Sequence, residues 1–283
     1  MPECFEVLRV ATYLKDQHLE GSYIDDICFL NQGERLFKDR LDLKVLKGAR
    51  IDSIETKAKY TFWQLDSGVL EWHYRFSGIP FVDKVSYDLY LRSIFSLPLG
   101  QLNQKHIRLT LSLINPKFKN KKEKILNYID TRCLSKLKWH PKKTIETCAT
   151  FHDLPADIHH FKPLPYNLFI RSLKQTKVDL KTFLLNQKTM PSGIGNYLAC
   201  EICAYAKLSP WQAVSQLTPE QYHALKDALL KVRFLAYSTI HYDWFAVFNK
   251  QKCSRCHQKI SKVKHSASKS SQSTYFCELC QQE

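Results

Sequence analysis

The chain carries Cys253-x2-Cys256 and, after twenty intervening residues, Cys277-x2-Cys280. Two Cys-x-x-Cys knuckles at this separation are the spacing of a tetrahedral structural zinc site, with all four thiolates as ligands and one ion bound. A short segment with little apolar content folds mainly because the metal binds. The spacing therefore predicts a small, rigid module over 248–283. Around the knuckles lie Lys252, Arg255, Lys259, Lys262, Lys264 and Lys269. A basic hairpin of this kind can grip a polyanion. The same spacing also serves purely structural or protein-binding zinc ribbons, so the module alone does not name a partner.

The rest of the chain narrows that choice. Its 283 residues exceed one ordinary core, which predicts two domains besides the zinc module, over 1–150 and 151–247. There are 42 Lys+Arg against 27 Asp+Glu, a net charge of +15. That field favours nucleic acid first and an anionic membrane surface second. No run of eighteen apolar residues predicts a spanning helix. Glu3, Glu6 and Arg9 interrupt what would be a signal peptide. The expectation is an intracellular protein, in cytoplasm or nucleoid, or in a nucleus. Of the ten cysteines, six (Cys4, Cys28, Cys133, Cys148, Cys200, Cys203) lie among apolar residues and read as small hydrophobes, although Cys200-x2-Cys203 has redox spacing.

Hydrophobic patterning divides the chain. Residues 5–15 read as a helix with Leu8, Ala11, Tyr13 and Leu14 as its apolar stripe. Residues 24–29, 49–54, 60–65, 69–73, 107–113 and 125–129 read as short strands separated by turns such as Asn31-Gln32-Gly33 and Asp66-Ser67-Gly68. That spacing predicts a β-sandwich. Residues 117–124 read as a Lys-rich hairpin tip, and 266–273 as a Ser/Lys-rich loop between the knuckles. From 153 the pattern becomes helical, with helices at 166–173, 180–185 and 196–207. A fourth is opened by Thr218-Pro219-Glu220-Gln221, a capping box with Pro at the first helical position. The fold class is α+β: an N-terminal β-sandwich with a leading helix, then a helical domain.

Two further places carry chemistry. Methionine is normally removed before proline, so Met1-Pro2-Glu3 would leave a secondary amine on Pro2. A terminal amine has a reference pKa of about 8, against about 10 for lysine, and is partly unprotonated at neutral pH. It can attack an electrophilic carbon, with the neighbouring carboxylic acid moving protons. Three residues are equally compatible with an ordinary frayed terminus. Gly193-Ile194-Gly195 holds two of only eight glycines and feeds a helix with Asn196 at its expected N-cap. Such a turn presents backbone N–H groups to a phosphate. It also serves as a plain helix–turn–helix connection.

These three places occur together, in this order, in one family. Over essentially its whole length the chain resembles the formamidopyrimidine-DNA glycosylase/endonuclease VIII (Fpg/Nei) enzymes of base-excision repair. Pro2, Glu3 and Glu6 match the family's start. Lys57-Ala58-Lys59-Tyr60 is similar to its Ala-Lys-Tyr strand, which makes Lys59 the matching lysine. His73-Tyr74-Arg75-Phe76-Ser77-Gly78 resembles a His-x-x-x-Ser-Gly segment, Lys105-His106 precedes a strand as in the family, and Tyr128-Ile129-Asp130-Thr131-Arg132 resembles a Tyr-x-Asp-x-Arg segment. Residues 180–201 resemble the helix–two-turn–helix element, and Ser273-Thr274-Tyr275-Phe276-Cys277 resembles the β-hairpin zinc finger.

The resemblance implies a bifunctional DNA glycosylase and AP lyase acting as a monomer on double-stranded DNA that contains an oxidised base or an abasic site. Pro2 would attack C1′ of the damaged nucleotide and expel the base through a Schiff base, and β,δ-elimination would cut the strand. Glu3 would be the general acid–base group. Lys59 and Asn196 would hold phosphates. Phe76, Arg132 and Leu134 would fill the gap left by the flipped nucleotide, a place suited to an apolar wedge and an arginine. Gly195-Asn196-Tyr197-Leu198 leans toward the endonuclease VIII branch and oxidised pyrimidines, whereas Phe76-Ser77-Gly78 leans toward the branch for oxidised purines. The sequence departs from the family at Phe5, usually Pro, and at Cys133, where a second Arg often stands. It departs also at Gln272, where the finger's DNA-contacting residue is usually Arg; Lys269 is a candidate substitute. Those departures keep a second reading open, a catalytically weak or inactive relative that binds damaged or distorted DNA. A zinc-ribbon RNA-binding or scaffold protein would leave the Pro-Glu start and the Gly-Ile-Gly-Asn turn without a purpose.

Overall fold

A computed structural model describes residues 2–37, 43–82, 104–117, 123–160, 166–239, 241–264 and 272–282. Most of the Lys-rich tip at 117–124 and of the loop at 266–273, including Lys269, lies outside the described residues. The chain forms two compact units, Met1–Asp153 and Leu154–Glu283.

The first unit opens with α1 (Cys4–Asp16). Val7, Val10, Ala11 and Leu14 are buried at i, i+3, i+4 and i+7, the core-facing stripe of an amphipathic helix. Two residues expected in that stripe, Leu8 and Tyr13, are only partly buried, because Val7 and Val10 take the inward positions. Two four-stranded antiparallel sheets follow. One combines β1 (Tyr23–Phe29), β5 (Gly78–Phe81), β6 (Ile107–Ile114) and β7 (Lys124–Asp130) in the order β1-β6-β7-β5. The other combines β2 (Ile51–Lys57), β3 (Tyr60–Leu65), β4 (Gly68–His73) and β8 (Lys136–Pro141) in the order β2-β3-β4-β8. Side chains from both sheets and α1 share one core. Trp63 and Trp72 stack within the second sheet at 5.1 Å, and Trp72 meets Tyr128 of the first edge-on at 4.8 Å.

Six of the eight strands coincide with the expected runs. β5 escapes the pattern because Gly-Ile-Pro-Phe is short, holds two strand-breaking residue types and is buried throughout, so it shows no alternation. β8 is an edge strand that starts Lys-Leu-Lys-Trp, with Lys136 and Lys138 exposed, the charged dressing expected at a sheet edge.

Short helices α2 (Gly33–Phe37), α3 (Leu43–Leu46) and α4 (Ala149–Asp153) complete the unit. α2 lies directly on β6. Gly33 is required there because a Cβ would stand 1.6 Å from the carbonyl oxygen of Arg108.

The second unit comprises α5 (Tyr166–Lys174), α6 (Leu180–Leu185), α7 (Asn196–Ala206), α8 (Pro219–Ser238) and the hairpin of β9 (Ser261–Lys264) with β10 (Ser273–Phe276). Asp179 caps α6 by accepting from the Thr182 N–H at 2.8 Å. Thr218 caps α8 in the expected capping box, with Pro219 at the first helical position. α6, the two-turn connection at 186–195 and α7 form the helix–two-turn–helix element. Its turn is tied internally, with Gly193 N donating to Gln187 Oε1 and Gln187 Nε2 to the Ile194 carbonyl. Gly193 takes φ +85°, a conformation that glycine adopts without strain.

The tight seat of α2 gives a first test. Gly33→Ala is expected to push α2 off β6 and lower unfolding stability by about 1–3 kcal/mol, read by urea denaturation.

Candidate active site and nucleic-acid interface

The start of α1 and the turn between β2 and β3 carry the candidate catalytic residues of the first unit. Pro2 is buried and immediately precedes α1. Glu3, 1% exposed, is the N-cap of α1 in a capping box: its side chain faces the Glu6 N–H, and Glu6 Oε2 accepts the Glu3 N–H at 2.8 Å. The positive end of the helix dipole favours a carboxylate there. Lys59 lies in the turn between β2 and β3, after Ala58 at φ +54°. Burial lowers the Lys59 pKa, Glu3 and then Cys4 act against that, and the charge of Arg75 adds to it. Glu3 and Lys59 thus share one electrostatic environment. Lys57, two residues earlier, is engaged elsewhere: its ammonium donates to the Phe151 carbonyl and lies 4.6 Å from the centre of the Phe151 ring. Phe5, the departure beside this site, is 1% exposed and belongs to the core.

His73 borders the same group. Its pKa falls to about 3, through burial first and then the charges of Arg75 and Lys59. The neutral ring accepts the Arg75 N–H on Nδ1 at 3.1 Å, which puts its own proton on Nε2, and it packs edge-on against Tyr60 at 4.5 Å.

Phe76 and Arg132 come from separate loops and meet. The Arg132 guanidinium carbon lies 5.6 Å from the centre of the Phe76 ring. Phe76 is 41% exposed and Leu134 46%, so two large apolar groups and an arginine project from adjoining loops into solvent. Cys133, between Arg132 and Leu134, takes φ +53° and contacts Gln32 Oε1 at 3.3 Å.

In the second unit the sulfurs of Cys253, Cys256, Cys277 and Cys280 all lie within 4.8 Å of one another and could hold a metal ion. Two of the separations are 3.4 Å and 4.0 Å. They bracket the value of about 3.8 Å that follows from tetrahedral geometry at the zinc–sulfur distance. A donor set of four thiolates suits zinc. Buried Gln281 accepts the Cys277 N–H and donates to the Leu208 carbonyl, fixing the second knuckle to the end of α7.

The module is seated on α7. Cys253 and Cys277 share a core with Cys200, Ala204, Ala246 and Val247. Glu201, fully buried, accepts the N–H groups of Ala246, Val247 and Phe248 at 2.6, 3.0 and 2.7 Å. Burial pushes its pKa up to about 7, with those three N–H groups pulling it down. Lys181, also fully buried, donates to Thr274 Oγ1 at 2.7 Å and to the Ser273 carbonyl at 3.3 Å. Asn196 is corrected from N-cap to first helical residue; Gly195 is the N-cap. The reason is that the Asn196 amide points away from its own helix and donates to the Ser273 carbonyl at 3.0 Å. Its Oδ1 is buried and accepts no hydrogen bond among the described residues. Gln272 is half-buried immediately before β10, and Ser273, expected in the loop, is the first residue of that strand.

The Fapy_DNA_glyco family model, formamidopyrimidine-DNA glycosylase N-terminal domain, matches residues 1–137. Formamidopyrimidine-DNA glycosylase of Mycoplasma genitalium is 29% identical, over 99% of this chain and 96% of that protein. Endonuclease 8 of Pectobacterium atrosepticum is 34% identical over 35% of this chain and 40% of its own length. The Lactococcus lactis Fpg, solved in complex with abasic site-containing DNA, superposes with a TM-score of 0.79 at 22% identity, over the whole of both chains. Residues 1–137 thus match the N-terminal domain of formamidopyrimidine-DNA glycosylase, and over nearly its whole length the chain is similar to a formamidopyrimidine-DNA glycosylase.

Of the expected site residues, the structure sets Lys59 within the electrostatic reach of Glu3, the residue after Pro2, pairs Phe76 with Arg132, and clusters the four cysteines. Asn196 stands beside the strand that follows Gln272. Sequence reasoning gave no role to Asp130, Lys181 or Glu201. Their one signal was a charged residue set inside or directly after an apolar run.

Neutral His73 makes a pH test. An unfolded histidine titrates near about 6.5, so the unfolded chain takes up the proton first as pH falls. Stability tied to His73 is therefore full above that value and falls as pH drops toward 3. The expected slope is at most about 1.4 kcal/mol per pH unit. It should flatten in His73→Phe, as measured by unfolding between pH 6.5 and 4.

Proposed function

We propose that the protein is a base-excision repair DNA glycosylase with AP lyase activity, acting as an intracellular monomer on double-stranded DNA that contains an oxidised base or an abasic site. The observation that carries this reading is that buried Lys59 lies within the electrostatic reach of Glu3, the residue that follows Pro2. Removal of Met1 frees the Pro2 amine. Its lone pair attacks C1′, the C1′–N bond to the base breaks, and the departing base takes a proton. Glu3 protonates the ring oxygen as the sugar opens to the Schiff base. Abstraction of a proton from C2′ then expels the 3′-phosphate (β-elimination), and a second elimination releases the 5′-phosphate.

Lys59 holds a phosphate beside the lesion. Its lowered pKa reflects burial without a ligand, and an arriving phosphate raises it again. Neutral His73 keeps one positive charge out of this group while Arg75 and Lys59 supply two. Phe76, Arg132 and Leu134 enter the duplex where the nucleotide has left. Asn196 holds a second phosphate, and Gln272 with the basic residues of the finger lies along the backbone. One zinc ion, held by Cys253, Cys256, Cys277 and Cys280, supplies the rigidity of the finger and no chemistry.

Gln272 and Cys133 favour a second reading, a family member that binds damaged or distorted DNA with weak or no cleavage. Both positions lose a charge that the family usually carries. Borohydride separates the two. Duplex DNA with an abasic site or an oxidised base is expected to become covalently trapped on the protein, and Pro2→Gly to abolish the adduct. No trapping with any lesion, alongside measurable binding, would establish the second reading instead.

Removing zinc with a strong chelator is expected to abolish duplex binding in a fluorescence titration, while the near-ultraviolet signal of Trp63 and Trp72 in the first unit persists. Binding that survives chelation would make the finger dispensable to the interface. Affinity should also fall steeply with salt, because several phosphates are neutralised together.

A further inference from the structure

Asp130 ends β7 beneath the loop of Arg132 and Leu134, and its side chain is fully buried. Its carboxylate gathers two loops. Oδ1 accepts the Ser77 hydroxyl at 2.5 Å and the Arg132 N–H at 3.1 Å, while Oδ2 accepts the N–H groups of Leu134 and Ser135 at 2.8 Å each. Ser77 Oγ also accepts the Arg132 N–H at 3.1 Å. Arg108, 4% exposed, donates from Nε to the carbonyl of Asp130 and from Nη1 to that of Lys105. The left-handed conformation of Cys133 curls the loop so that the amides on either side of it face one carboxylate.

Burial raises the Asp130 pKa, and the hydrogen bonds from Ser77, Ser135 and Arg132 outweigh it, so the group titrates below the ordinary aspartate range. It is held ionised by neutral donors. A carboxylate with this many donors is geometrically demanding, since each hydrogen bond fixes another part of the two loops.

We propose that Asp130 is a positioning residue that sets Phe76 against Arg132 and Leu134, so that the gap-filling surface is assembled before DNA arrives. The carboxylate touches neither lesion nor DNA. Its hydroxyl partner belongs to the residue after Phe76, and its amide partners are Arg132, Leu134 and Ser135. The three exposed side chains therefore need no ordering on binding, and that cost is removed from recognition. The proposal rests on the lesion-DNA reading given above, but it makes a separate demand. The surface matters only where a neighbouring strand leaves a gap to fill. An abasic site in single-stranded DNA has no such gap, whereas the same site in a duplex does.

The test compares borohydride trapping rates on the same abasic oligonucleotide, single-stranded and paired. Asp130→Asn replaces one acceptor oxygen with a donor that faces N–H groups. The duplex rate is expected to fall about tenfold to a hundredfold, while the single-strand rate stays within about twofold. Ser77→Ala removes one arm of the network and provides a milder variant should Asp130→Asn fold poorly. It is expected to lower the ratio of duplex to single-strand rates in the same direction by a smaller factor. Equal losses on both substrates, or no loss on either, would overturn the positioning role. Wild-type protein that traps on neither substrate would overturn the glycosylase reading itself, a result distinct from a wild type that traps and variants that match it.

Discussion

The burial of ionisable groups is the constraint on which the candidate functional parts depend. Asp130, Lys181 and Glu201 are each withdrawn from water, and each is satisfied by backbone or hydroxyl groups. An ionised group left unsatisfied in such a place costs several kcal/mol. Each hydrogen bond to a charged group contributes about 1.5–3 kcal/mol, so the four to the Asp130 carboxylate together offset its cost. Cooperation of that kind is possible only if distant segments arrive in fixed positions. Asp130 joins the loops at 77 and 132–135, Glu201 fixes the entry to the knuckles, and Lys181 fixes the strand that leaves the hairpin tip.

Around Lys59 the requirement is different. Lys59 feels the charges of Glu3 and Arg75, and His73 those of Arg75 and Lys59, in a chain that is already strongly basic. If His73 titrated at its ordinary value, acid would add a third positive charge to this group, and Lys59 would be pushed further toward neutrality. The hydrogen bond from Arg75 N to Nδ1 occupies the lone pair that would take that proton. The same contact orients Arg75, which reaches its position through a left-handed turn. The charge of Glu3 acts directly on Lys59, so the state of one bears on the other.

Legibility from sequence follows the range of the interaction. Period-2 and period-3.6 patterns are local, so α1, the capping box of α8 and six of the sandwich strands could be read directly. β5 could not, since a strand buried on both faces carries no alternation, and Gly-Ile-Pro-Phe imitates a turn. Asn196 looked like an N-cap because Asn after Gly at a helix start usually is one. Its amide instead takes a carbonyl 77 positions away. Lys181 and Thr274 are 93 apart, Ser77 and Asp130 53. No window of sequence contains both members of such a pair. Pro2, Glu3, Lys59 and the four cysteines were found by resemblance and spacing; the groups that hold these sites in shape were visible only in three dimensions.

The knuckles also acquire a different meaning from the one their spacing suggests. A module that folds on its metal alone would be an appendage, yet Cys253 and Cys277 pack in the same core as Cys200 and Ala204 of α7. The chain entering the knuckles is held by Glu201, the chain leaving the hairpin tip by Lys181 and Asn196, and the last knuckle by Gln281. A metal ion held at this centre would therefore bear on α7 and its turn as well as on the hairpin. Gln272 sits one residue before the point where Lys181 and Asn196 grip the strand. A fixed base makes a short neutral side chain more useful than it would be on a free loop, because a hydrogen bond from an already positioned Gln loses little to ordering. On the proposed reading, Gln272 in place of an arginine would remove charge from a contact whose geometry is set from below.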